Sequence, residues 1–446
     1  MQKNLSSIAS ILIIILPILI ITGPFLSDLS VVIIDLIFLF YLYKEKNFKY
    51  LNNNLFKFLI LFNIYISVRS FFTDEIFFSL KSSLTYIRFS ILIFAIKFFL
   101  ERDKKLLNNF SKVFLITISI LFIDSLFQYI NGYNLLGFKI NNPDKLNSLF
   151  GDEGVLGSYL IRFLPLFLVC FLTLNQNKHL FLLNIFIFGV FIFLAGSRSA
   201  IALYILFFLT FLFLFNNYRL QFISYVLALV IIIALIFVGS NFQSKKTFLQ
   251  IDLEGISQVE VNLKNKFFYT VYYNFYDPIK TIFNKNKMVP APFLKQEFKF
   301  REITMFSKVY DAHYRTAYKM FKENIFFGVG NKMYRKLCSH KKYYTNDFGC
   351  STHPHNLHLQ VLAENGLIGF IFILIIFSYT IIVLLREFLY RNFKKIIKIK
   401  DKNLILIIGI FLNFWPIVPF GNFYNNWLSI LIYLPIGFLL YFRKKE

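Results

Sequence analysis

Ile8-Ala-Ser-Ile-Leu-Ile-Ile-Ile-Leu-Pro-Ile-Leu-Ile-Ile21 is an uncharged apolar run that passes, with no small-residue cleavage site, into Gly23-Pro24 and further apolar stretches. A secretory leader would end in such a site, so this segment reads as the first of a series of membrane spans. Similar runs recur along most of the 446 residues, of which 57% are hydrophobic and 20% aromatic, and the mean hydropathy is +0.60. Soluble domains are only about 45–50% apolar. A spanning helix needs roughly 17–25 apolar residues. On that measure spans centre near residues 15, 36, 62, 92, 120, 164, 187, 207, 230, 375, 412 and 434. The expected fold is all-α and integral to the membrane, with about twelve transmembrane helices.

The cations support this count. Lys44, Lys46, Lys49 and Lys57 follow the second span, and Arg102, Lys104, Lys105 and Lys112 follow the fourth. Lys178 and Arg219 mark the next two even-numbered connections, Arg386 to Lys402 crowd the tenth, and Arg443, Lys444 and Lys445 come after the last span. Alternate connections such as 23–30 and 419–426 carry no Lys or Arg. That alternation predicts both termini on the cytoplasmic side. It also accounts for the formal charge of +24 without invoking nucleic acid.

One segment interrupts the pattern. The chain divides into helices one to nine (1–238), a loop domain (239–365) and helices ten to twelve (366–446). The loop is rich in Lys, Tyr, Phe and Asn, contains the turn-prone Val289-Pro-Ala-Pro-Phe293, and has a helical pattern over Tyr310–Lys322. It falls on the outside face between the ninth and tenth spans and is expected to be mostly helical; long segments translocate regardless of their positive charge. Cys338 and Cys350 lie in it, where an oxidising environment favours a disulfide that would pin the strand entering His353. Two free thiols are the plainer reading. No Cys-x-x-Cys spacing suggests redox catalysis.

The loop ends in Ser351-Thr-His-Pro-His-Asn-Leu-His-Leu-Gln-Val-Leu-Ala-Glu-Asn-Gly366, which reads as a helix start. Thr352 or His353 would cap, Pro354 suits the first helical position, and Gly366 would end the helix. The 3.6-residue period then aligns His355, Leu359 and Leu362, with His358 beside His355. Helix N-termini disfavour imidazolium and attract anions, so a neutral histidine there is a candidate general base. A hydrogen-bonded structural histidine is the alternative. A metal site is another, since His355 and His358 are one turn apart, but no acidic ligand obviously completes it.

Arginines at costly positions form a second group. Arg198 lies in Ala195-Gly-Ser-Arg198-Ser-Ala at the end of the seventh span, Arg162 inside the sixth, Arg69 near the end of the third and Arg88 in the fourth. Arg315 and Arg335 add two in the loop. Charges at such depths face cavities or mark sites, and guanidinium groups bind phosphate bidentately. Snorkelling or ion pairing is the competing account, strongest for Arg69 and Arg88. Asp152 and Glu153, at the mouth of the sixth span, would pair with these arginines or bind an acceptor. Asp124 is an intramembrane charge whose partner the sequence does not reveal.

Gly328-Val-Gly330, followed by His355-Asn356 and then Gly366, resembles the signature of the O-antigen ligase and Wzy-type polymerase superfamily. Gly196-Ser-Arg198-Ser, Arg315-x-x-Tyr318, Asp124-x-x-x-Gln128-x-x-x-Gly132, Phe150-Gly-Asp-Glu153 with Gly157-Ser-Tyr-Leu160, and Pro416-x-x-Pro419-x-Gly421-Asn-Phe-Tyr-Asn-Asn-Trp427 are similar to stretches of the same proteins. The resemblance implies a metal-independent, inverting glycosyltransferase of the bacterial inner membrane, without cofactor. Its donor would be an undecaprenyl-diphosphate-linked glycan and its acceptor lipid A-core or another glycan on the periplasmic face. By position, Arg198 and Arg315 would hold the diphosphate with Arg162 and Arg335, and His355 would act on the acceptor hydroxyl. His353, Asn356, His358, Glu153 and Glu364 would support the site. Ligase and repeat-unit polymerase share these signatures. An anion or polysaccharide transporter is the rival from another class, but inverted repeats and broken mid-membrane helices, its usual marks, are not visible in the sequence.

Overall fold

A computed structural model describes residues 2–140, 145–221, 223–225, 227 and 307–444. The expected ninth span near residue 230 and the loop stretch 239–306, with the turn at Val289–Phe293, lie outside the described residues. The first part of the chain forms α1 (Gln2–Ile21), α2 (Pro24–Lys44), α3 (Asn54–Ser70), α4 (Ile76–Arg102), α5 (Leu106–Asn131), α6 (Leu156–Leu174), α7 (Lys178–Leu194) and α8 (Arg198–Leu214). The second forms α9 (Lys308–Glu323), α10 (Tyr334–Leu337), α11 (Leu357–Leu389), α12 (Asp401–Asn413) and α13 (Asn426–Lys444). Among the described residues there is no strand; Tyr133 and Lys139 form an isolated antiparallel bridge. The all-α expectation holds, and the helix expected over Tyr310–Lys322 is α9.

Apart from the one near residue 230, every expected span centre falls inside one of these helices. By length and composition seven of the described helices are able to cross a membrane, which makes the chain a multi-pass membrane protein. α3, α7 and α8, at 17 residues each, and α12, at 13, are shorter. Between membrane helices the hydrophobic effect gives little net drive, so close packing and polar contacts decide the arrangement. α13 lies along α4, and α5 and α12 along α6. Accordingly 83% of an apolar 18-residue window of α6 is buried, against 28% for the corresponding window of the long helix that begins at Leu357. The abundant aromatics fill the seams: Tyr86 of α4 meets Phe89, Tyr424 and Tyr433 edge to face, with centroids 5.3–6.0 Å apart.

Several of the costly charges are structural. Arg88 pairs with Asp28 at 2.7 Å, and Asp28 also accepts from Asn426 Nδ2 at 3.0 Å, which ties α2, α4 and α13 together. Asp124 has partners after all: it accepts from Leu135 N at 2.9 Å and from Ser148 Oγ at 2.6 Å. Gln128 accepts from Ser148 N at 2.7 Å, and Gly132 caps α5 in the left-handed conformation. This motif therefore anchors the connection between α5 and α6.

The most informative junction is the break in α11. Gly366 has φ 62° and ψ −166°, a backbone conformation reserved in practice for glycine, so the helix begun at Leu357 is interrupted there. The break frees backbone groups, and residues 325–330 take them up. Val329 N donates to Ala363 O at 2.8 Å and Gly330 N to Glu364 O at 2.7 Å. Leu367 N and Ile368 N donate back to Ile325 O and Phe326 O at 2.8 and 3.2 Å. Tyr65 Oη donates to Asn365 O at 2.5 Å, and Arg69 holds the Gly328 carbonyl through Nη2 at 2.6 Å. Arg69 is thus a clamp on the seam. The two glycine positions, distant in sequence, belong to one backbone zipper.

Candidate active site

The segment 351–356 sits between α9 and the 414–424 connection. The helix does not start as expected: Asn356, rather than Thr352 or His353, caps α11, accepting from Leu359 N at 3.0 Å. Pro354 is consequently outside the helix, and so is His355, which does not share a helical face with Leu359. The cause is tertiary. His355 adopts φ 55°, and its carbonyl accepts from Phe420 N at 2.9 Å, so the chain is held away from helical geometry until Asn356. A non-glycine residue in this left-handed region is uncommon and persists only when its surroundings impose it. Asn356 Nδ2 donates to Pro416 O at 2.7 Å, which fastens the same two segments.

Three imidazoles meet here. The His355 ring lies 4.1 Å from that of His353 and 5.2 Å from that of His313, centroid to centroid, and the Tyr310 ring is 5.4 Å away. His313 and Tyr310 come from α9, one turn apart on its inward face, and sequence reasoning did not single them out. The usable signal was their spacing of three within a segment already read as helical. His358 is not part of the cluster. Its Nε2 is 2.8 Å from Phe414 O and its ring meets Phe370 and Phe377 edge to face, which makes it a structural histidine.

Burial sets the protonation of the cluster. Desolvation, then the charge of His355, push His353 down to about 3. Desolvation, the neighbouring His313 and the Lys145 ammonium push His355 down to about 4. Burial lowers His313 as well, opposed by a hydrogen bond with the Gly349 backbone. All three are neutral at pH 7. Lys145, another residue the sequence reading passed over, is delivered by the α5–α6 connection and packs beside Gly154, whose Cβ position is 3.2 Å from Lys145 Cδ.

These shifts have a sign that can be checked. The folded protein takes up fewer protons than the unfolded chain, whose histidines titrate near 6.5, so stability is lost as pH falls from that value toward the folded values. The thermal midpoint should therefore drop across this window. His353→Asn should flatten the drop by up to about 1.4 kcal/mol per pH unit; an unchanged slope would contradict the neutral, buried assignment.

The arginines divide. Arg198 opens α8, and the turn before it is pressed against α6: a Cβ at Gly157 would meet Ser197 Cβ at 2.8 Å and Ala200 Cβ at 3.2 Å. Burial raises the Tyr310 phenol and the Arg198 guanidinium opposes that rise, so Arg198 lies within electrostatic reach of Tyr310. Arg315 is 44% exposed and pairs with Asp311 at 2.7 Å one turn back. Arg162 is buried and donates to Ser158 Oγ at 3.2 Å and to Asn413 Oδ1. Its guanidinium stacks on Phe420, 4.4 Å from the ring centroid, and so stands behind the residue that grips His355. Arg335 lies within electrostatic reach of His353 and Glu364, and its Nε is buried without a hydrogen-bond partner among the described residues.

The remaining expected residues brace the cluster or stand apart from it. Glu364 is fully buried and accepts from Tyr334 N and Gln360 Nε2, both at 3.1 Å, which couples α10 to α11. Glu153 is exposed, and its backbone shapes the turn into α6. A disulfide joins Cys338, at the end of α10, to Cys350, with Cα atoms 5.1 Å apart, and so tethers the segment leading to His353. Among the described residues no group of three or more His, Cys, Asp or Glu is arranged to hold a metal ion.

The arrangement is a set of neutral imidazoles rimmed by cations, suited to proton abstraction beside a bound anion. Residues 183–374, which include Arg198, α9 and all three imidazoles, match a family model described as O-antigen ligase. No curated protein matches the chain.

Proposed function

We propose that the chain is an O-antigen ligase, a reading supported by the match of residues 183–374 to a family model of that description, whose members act as glycosyltransferase-like membrane enzymes on lipid-linked glycan. In this reading it transfers a glycan from undecaprenyl diphosphate to a hydroxyl of lipid A-core on the periplasmic face of the inner membrane. The observation that carries the reading is a neutral His355, locked in an unusual backbone conformation, beside Lys145 and within a cluster whose Tyr310 lies within electrostatic reach of Arg198.

The acceptor hydroxyl gives its proton to a ring nitrogen of His355. Its oxygen forms the new bond to the anomeric carbon from the face opposite the leaving group. The bond to the diphosphate oxygen breaks, and its electron pair leaves with the diphosphate. Cationic side chains neutralise that leaving group, the task a divalent metal performs in other glycosyltransferases. Arg198, Lys145 and Arg335 each act electrostatically on a member of the cluster. Arg315 would join by exchanging Asp311 for phosphate, a small cost because an exposed ion pair is worth about 0–1 kcal/mol. His355 is held low mainly by burial, then by His313 and Lys145; a bound diphosphate would offset the last of these and so strengthen the base.

Arg198→Ala should lower transfer about 10²–10³-fold, with Arg198→Lys intermediate, since an ammonium cannot form the bidentate pair. The assay is membrane-reconstituted transfer from lipid-linked glycan to lipid A-core. Wild-type rates in Arg198→Ala would sink the electrostatic assignment. Extension of one repeat unit by another, with lipid A-core left untouched, would make the protein a polymerase instead.

A further inference from the structure

A general base works only when one ring nitrogen is free and the other is held. In such arrangements the second nitrogen donates to a fixed acceptor that sets the tautomer and the ring plane. Around His355 the described groups are Lys145 from the α5–α6 connection, His353 from its own segment, and Tyr310 and His313 from α9. Lys145 is a cation and accepts nothing. His353 is closest, but its Nδ1 is bonded to Thr352 Oγ1 at 2.9 Å and its ring lies against the Phe420 backbone. The Tyr310 phenol is drawn electrostatically toward Arg198.

His353 Nε2 is also buried without a partner among the described residues, but that ring is held by its own segment through Thr352, whereas His313 approaches from the separate helix α9. His313 is 4% exposed, and its Nδ1 is buried with no hydrogen-bond partner among the described residues. Its backbone is pinned, because Tyr334 Oη reaches the His313 carbonyl at 3.3 Å and the Gly349 carbonyl at 2.7 Å. The Gly349 backbone lies within the ring's reach, and the unpartnered Nδ1 is open to serve as a lone-pair acceptor. A buried polar atom without a partner costs about 1–3 kcal/mol. Its ring is 5.2 Å from that of His355, at an interplanar angle of 38°, a separation that a small ring movement converts to a hydrogen bond. Catalytic hydrogen bonds are often long before substrate binds.

We propose that His313 is the positioning residue of the base: its buried, unpartnered Nδ1 accepts the N–H of His355 and leaves the other His355 nitrogen free for the acceptor hydroxyl. This rests on His355 being the base, as argued above. A neutral imidazole in the role usually given to a carboxylate stabilises the imidazolium less, which suits a base whose extra support comes from the donor's own charge.

The test compares His313→Asn with His313→Leu in reconstituted membranes, measuring kcat, KM for the lipid-linked donor, and thermal midpoint. Asparagine keeps an acceptor at the δ position; leucine fills the buried space without one. His313→Leu should lose about 10–100-fold in kcat with KM unchanged, and His313→Asn should recover most of it. A purely structural role predicts the reverse order, because leucine is the better buried residue. Wild-type kcat in His313→Leu, equal loss in both variants, or acceptor-dependent rescue at His353 instead would each overturn the proposal. His355→Asn is run alongside: if that variant is active the base assignment itself falls, whereas an inactive His355→Asn with a normal His313→Leu removes only this inference.

Discussion

His355→Ala abolishes glycan transfer, and His355→Asn does so at wild-type protein level. A positioned general base contributes about 10²–10⁴ in rate, and His355 is the imidazole at the centre of the cluster, within 4.1–5.4 Å of His353, His313 and Tyr310. The choice of control matters because its backbone is left-handed, at φ 55°. Alanine strains that conformation, whereas asparagine tolerates it. His355→Asn therefore separates chemistry from folding: it should be as inactive as His355→Ala, at wild-type abundance and thermal midpoint. Surface glycan followed by gel, with protein level monitored, reads both. Normal glycan attachment by either variant would remove His355 from the mechanism. Because neutral imidazole prevails above about 4 in the free protein, kcat/KM, which reports that state, should hold on acidification below the ordinary histidine range near 6.5.

Gly366→Ala should be the most damaging single change to the fold. A Cβ there would lie 2.3 Å from both the carbonyl carbon and oxygen of Phe326 and 2.5 Å from Phe327 N, all backbone atoms without freedom to yield. Gly328 is its reciprocal: a Cβ would meet Asn365 N and Glu364 C at 2.4 Å, and φ is 68°. The left-handed conformation alone costs an L residue about 1–2 kcal/mol. Parting the two backbones would also strain four hydrogen bonds, each worth about 0.5–1.5 kcal/mol net. Either substitution should therefore cost about 3 kcal/mol or more, lowering the thermal midpoint and the amount of protein in the membrane. Wild-type abundance and an unchanged midpoint for Gly366→Ala would refute the backbone zipper. Even a surviving fraction should be poorly active, because the seam holds Glu364 and α10 beside the imidazoles.

Much of this was legible without coordinates. Apolar run length marks membrane helices because the bilayer interior leaves unpaired backbone groups no other solution, and every expected centre within the described residues falls in a helix. Helical periodicity placed α9, and a lone glycine at 366 marked the interruption of α11, since only glycine suits that backbone. These are local properties, dictated by a few neighbouring residues. Other features depended on contacts between segments remote in sequence. Asp28 explains Arg88, the Phe327–Gly328 carbonyls explain Arg69, and Ser148 explains Asp124. Local capping rules favoured Thr352 or His353, but the Phe420–His355 bond moved the helix start to Asn356. The approach of His313 to His355 has the same origin: α9 is docked on α11 by packing, and no spacing rule links the two histidines. Sequence alone determined that this is a helical membrane protein with its histidines and arginines gathered around a late loop. Which of them meet, and which are tied up as braces, was decided by tertiary packing, because hydrogen bonds and burial reward proximity in space and are indifferent to distance along the chain.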